Sequence, residues 1–144
     1  MKCKGIMKII DKKTGNVLLE KHNRFVTAGL DAIAKLINGE ANDIPAYIAV
    51  GTSATAIADG QAALQGTELA RVVFDSHVRT GHSIELVATF ANGIGTGAWE
   101  EAGIFSASTG GVMFSRVLTG TYTKRAVDIF EVHWTYTVLD DGVD

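Results

Sequence analysis

The sequence predicts a mainly β domain: an antiparallel β-sandwich with one amphipathic helix at about residues 27–38 and an N-terminal β-hairpin. Three observations predict it. From Arg71 to Arg116, short alternating segments are broken by glycine-rich turns at close intervals, the pattern of antiparallel strands. From Ala126 to Leu139, apolar and polar residues alternate without a break. Helical spacing is convincing only between Thr27 and Asn38.

The elements follow in order. Residues 1–23 read as a hairpin arm that reverses at Asp11 to Asn16, where Gly15 and Asn16 tolerate positive φ. Thr27 is placed to cap the helix, Leu30, Ile33, Ala34 and Ile37 form its apolar stripe, and Gly39 ends it. Tyr47 to Val50 reads as a short strand. Thr52 to Gly66 is rich in Ala, Gly, Ser and Thr and reads as a long, mobile loop, a type that often carries contacts. Leu69 to Thr80 reads as one strand and Ser83 to Phe90 as its return. Asn92 to Gly97 then serves as a hairpin loop, Ala98 to Phe105 and Val112 to Leu118 as the next pair. In the last strand, Phe130, Val132, Trp134, Tyr136 and Val138 share one face. Burying them stabilises the fold by roughly 1.5–3 kcal/mol each before entropy is counted. Residues 140–144 form an acidic tail.

The whole chain, 1–144, fits one domain, and a domain of this size needs no metal or disulfide to hold together. Cys3 is the single cysteine, so no internal disulfide forms. The net charge is −3 and the basic residues are scattered, which argues against a nucleic-acid partner. No apolar run approaches the ~20 residues of a membrane helix, and no signal peptide is seen. Synthesis in the cytoplasm is therefore expected.

Reactive chemistry is hard to find in this chain. Glu100 and Glu101 are adjacent, so in a strand they point to opposite faces and do not converge on one substrate. One is expected to be solvated and the other to pair with an arginine such as Arg116. The histidines lack zinc-ligand spacing, although Asp75 with His77 and Glu131 with His133 can share strand faces. No catalytic residue, metal ligand or cofactor is expected. The candidate contact surface comprises Trp99, Thr52, Ser53, Asp59, Asn92 and Lys8. Trp99 beside a glycine-rich loop is placed to stack on a sugar ring, which raises a carbohydrate-binding module as an alternative.

The order of several segments is similar to a family of small bacteriophage tail-fibre or baseplate-associated proteins. These segments are His22 to Leu30 with Asp31 to Leu36, Tyr47 to Thr52, Ala63 to Arg71, Gly97 to Phe105, and Gly110 to Arg116. The resemblance implies a non-enzymatic structural protein of the virion, in the tail, baseplate or tail-fibre adaptor. A capsid decoration or collar protein is the alternative. It also implies other virion proteins as partners and a homo-oligomer, with a trimer favoured.

Overall fold

The computed structural model describes residues 2–40 and 43–139. These residues form β1 (Lys2–Asp11), β2 (Val17–His22), β3 (Arg24–Phe25), α1 (Thr27–Ile37), β4 (Tyr47–Gly51), β5 (Glu68–Val73), β6 (Ser76–Thr80), β7 (Ser83–Phe90), β8 (Gly97–Phe105), β9 (Met113–Lys124) and β10 (Phe130–Leu139). The strands make two antiparallel five-stranded sheets. Sheet I has the order β2-β1-β10-β7-β6, and sheet II the order β3-β9-β8-β4-β5. The chain is thus the mainly β sandwich that its alternation predicts. The acidic stretch 140–144 lies outside the described residues.

Alternation decides which side chains meet between the sheets. In β10, Phe130, Val132, Trp134 and Tyr136 are buried, whereas Val138, expected on the same inner face, is exposed at the end of the strand. Leu86, Ala88 and Phe90 of β7 and Met7 and Ile9 of β1 complete the inner face of sheet I. Sheet II supplies Ile48, Val50, Trp99, Ala102, Ile104 and Val117 to the same core.

Four expectations need correction. Residues 69–80 are two strands in two sheets: β5 pairs with β4, and β6 pairs with β7. Phe74 and Asp75 carry the chain across, and neither Gly nor Pro marks the crossing. The 92–97 segment is not a hairpin loop, because it links β7 of sheet I to β8 of sheet II. The last strand starts at Phe130, after a turn at 126–127. Finally, the N-terminal hairpin is no free arm. β1 lies inside sheet I, paired to β2 on one side and to β10 on the other, from Lys2↔Leu139 to Asp11↔Phe130. Its turn forms at Asp11 to Asn16 as expected, but Gly15 alone takes positive φ there.

The helix forms at the expected place but turns a different face inward. Gly29 and Ala32 are its buried residues. A Cβ at Gly29 would lie 2.2 Å from the carbonyl oxygen of Phe114, so only glycine lets α1 sit against β9. Small residues set the contact, and the larger ones are left outside: Leu30 is 49% and Ile37 72% exposed. Thr27 is not the cap. Val26 occupies that position without a side-chain hydrogen bond. The Thr27 amide instead donates to the Asp59 carbonyl, 2.9 Å away, so residues 52–66 supply the partner that a capping side chain would.

Candidate contact surface: a loop latched by a buried ion pair

Glu101 and Arg116 lie on neighbouring strands, β8 and β9, and both side chains are fully buried. Arg116 donates from Nε to Glu101 Oε2 at 2.7 Å, and its Nη2 lies 2.7 Å from the same oxygen as an ion pair. Charge burial is costly unless every group is satisfied, and here the loop 52–66 satisfies the pair. The Ser53 and Gly66 amides donate to Glu101 Oε1 at 3.2 and 2.8 Å, and the Gln65 amide donates to Oε2 at 3.0 Å. In the opposite direction, Arg116 donates to the Thr55 carbonyl (2.7 Å), the Ser53 carbonyl (3.3 Å) and Gln61 Oε1 (3.3 Å).

Glycine and apolar packing complete the latch. A Cβ at Gly51 would stand 2.7 Å from Glu101 Oε1, so that position must be small. Leu64 and Ile57 from the loop pack on a second small core of Val26, Ala49, Phe105 and Met113. At the rim, Arg24 pairs with Asp59 and donates to the Ile57 carbonyl at 3.2 Å. The expected mobile loop is therefore a fastened one. The Glu101 carboxylate is fully engaged with donors, and Arg116 is its partner as the sequence reading expected. Glu100 points elsewhere and accepts from the Thr121 hydroxyl.

The other sequence-selected residues do not converge. Thr52 and Asp59 are exposed on the loop, and Ser53 is half-buried there. Asn92 is exposed on the crossover between the sheets, and Lys8 is half-buried on the outer face of sheet I. Trp99 is in the core, and its place at a loop edge is corrected. It has no exposed surface, meets Phe90 and Phe130 edge-on at centroid distances of 4.9 and 5.4 Å, and donates from Nε1 to the Gly95 carbonyl at 2.7 Å. A ring buried on both sides offers no face to a sugar.

Near Lys8, the outer face of sheet I carries a charged row. Glu131 lies 2.7 Å from Lys12 Nζ and 2.6 Å from His133 Nε2. The Lys12 hydrogen bond, then that of His133, holds the Glu131 carboxyl below its usual range. Among the described residues, no His, Cys, Asp and Glu side chains cluster in a way that would hold a metal.

Sequence reasoning missed two features. One is the latch, whose partners lie 35–63 residues apart and leave no local signal. The other is an apolar groove of about 340 Å³ beside α1, lined by Phe25, Ile33, Leu36, Ile37, Pro45 and Val138, among others. The helix stripe was its only trace in the sequence. No protein-family model, curated protein or solved structure matches the chain.

Proposed function

We propose that the chain is a non-enzymatic structural protein of a bacteriophage virion, acting in the tail, baseplate or tail-fibre adaptor and assembling with copies of itself and other virion proteins. One observation carries this reading. The segments that resemble phage tail proteins fold mainly into one layer, made of sheet II, α1 and the fastened loop. Their most reactive pair, Glu101 and Arg116, is spent on holding that layer together. A further support is the apolar surface left on α1 and along its groove, since exposed apolar patches mark sites of contact. The burial of Trp99 removes the stacking platform of the carbohydrate-binding alternative.

The test is mass spectrometry of purified particles from the phage that encodes the chain, combined with electron microscopy of particles labelled for it. The chain should be present in mature particles at a fixed copy number and at a defined position on the tail. Its absence from mature particles would overturn the proposal.

A further inference from the structure

We infer that β6 is a strand-addition edge, through which two copies of this chain join their first sheets into one continuous ten-stranded sheet. β6 is the free edge of sheet I, and all five of its residues, Ser76–Thr80, are exposed. The direction of its backbone groups follows from the register. The turn after β6 has two residues, Gly81 and His82, with positive φ at Gly81 alone. Such a turn makes the flanking Thr80↔Ser83 a hydrogen-bonded pair. The Val138 amide donates to the His82 carbonyl at 3.0 Å, so even-numbered residues of β7 bond to β10 and odd-numbered ones to β6. Residues 76, 78 and 80 therefore bond inward to β7, and the amides and carbonyls of His77 and Arg79 point out of the sheet.

This edge is complementary to itself. An antiparallel two-fold about Val78 sets His77 opposite Arg79 of the second copy, both with outward-facing backbone groups. It places Val78, 56% exposed, beside its own counterpart in the close, non-hydrogen-bonded position.

The other three edges carry protection that β6 lacks. β2 has a register shift against β1 and bears Glu20 and Lys21. The pairing of β5 shifts at Val50/Gly51. β3 is two residues long and is flanked by the Arg24–Asp59 pair. β6 has no proline and no shift against β7 from Ser76 to Thr80, its one irregularity being just before it, where the Asp75 amide donates to the Val87 carbonyl at 2.7 Å, and the guanidinium of its one charged residue, Arg79, is turned back on the Gly81 carbonyl at 2.7 Å. The contact is two-fold, in place of the three-fold order that the phage-tail resemblance implies.

The inference extends the assembly reading but is tested on the purified protein alone, so its failure leaves the presence of the chain in particles untouched. Analytical ultracentrifugation and amide hydrogen exchange are run on the full chain and three variants. Val78→Lys places like charges at the two-fold, and Arg79→Pro removes an outward donor without touching the β7 ladder. Val17→Lys alters the β2 edge as a control. The expected result is a dimer for the wild type and Val17→Lys, with slowed exchange at the His77 and Arg79 amides. Val78→Lys and Arg79→Pro should be folded monomers by circular dichroism, with fast exchange at the remaining outward amides. A wild-type monomer, an oligomer with fast exchange at His77 and Arg79, or one that survives both edge variants would overturn the pairing.

Discussion

Replacing Glu101 by Gln tests the latch most directly, because it keeps the shape of the side chain and removes its charge. The buried Arg116 guanidinium then loses its counter-charge, and an amide NH2 takes the place of an oxygen that accepts backbone N–H groups. Breaking a buried pair by removing one partner costs about 3–5 kcal/mol. Unfolding entropy of about 2.1 cal/mol/K per residue gives about 0.3 kcal/mol/K for 144 residues. The melting temperature should therefore fall by about 10–17 °C. The assay is thermal unfolding followed by circular dichroism, with amide exchange read at Ser53, Gln65 and Gly66. Those three amides should lose protection, because they bond to the altered carboxylate. Glu100→Gln is the control, since that side chain holds only the Thr121 hydroxyl at the surface. It should shift stability by no more than about 0.5 kcal/mol. A Glu101→Gln protein that melts within about 3 °C of wild type, with its loop amides still protected, would refute the claim that the pair fastens the loop.

Three further outcomes are expected. Trp99→Ala should destabilise the fold by about 3–5 kcal/mol in a denaturant titration, because it empties the site between Phe90 and Phe130. Gly29→Ala should lower the melting temperature although alanine favours helix by up to ~1 kcal/mol, since its Cβ meets the backbone of Phe114. Asp128 is held down to about 2 by its side-chain bonds to Arg125 and by the Arg125 amide. Its stabilising contribution is therefore complete above the ordinary carboxyl value of about 3.9 and is lost as the pH falls towards 2. Asp128→Asn should flatten the stability–pH curve in that window, as measured by melts at several pH values.

Much of the architecture was legible because strand alternation is a local property. The inward residues of β7 and β10 could be read from period two alone, and the opposite directions of Glu100 and Glu101 predicted that one of them pairs with an arginine such as Arg116, though not which one. The helix was legible as a period but not as a face. Its buried side is chosen by how closely Gly29 approaches Phe114, a distance between residues far apart in sequence. Two of the four crossings between sheets, β5 to β6 and β7 to β8, were illegible for a related reason. A glycine-rich turn such as 92–97 serves a hairpin and a sheet-to-sheet link equally well, and Phe74–Asp75 carries no turn signal at all. Trp99 was misplaced because the ladder around it is irregular: the β8–β9 register shifts between Trp99 and Glu101.

The pairing of β1 with β10 has a consequence for biosynthesis. These strands stand side by side along their full lengths although most of the polypeptide separates them. On the ribosome, β1 must wait until Phe130–Leu139 has emerged before its neighbour exists. Its hairpin partner β2 covers only one flank in the meantime. Contacts of such long sequence separation slow folding, and an uncovered strand invites aggregation while translation proceeds. Sheet I is therefore completed late, after β10 has left the ribosome, and β1 is exposed to misfolding until then.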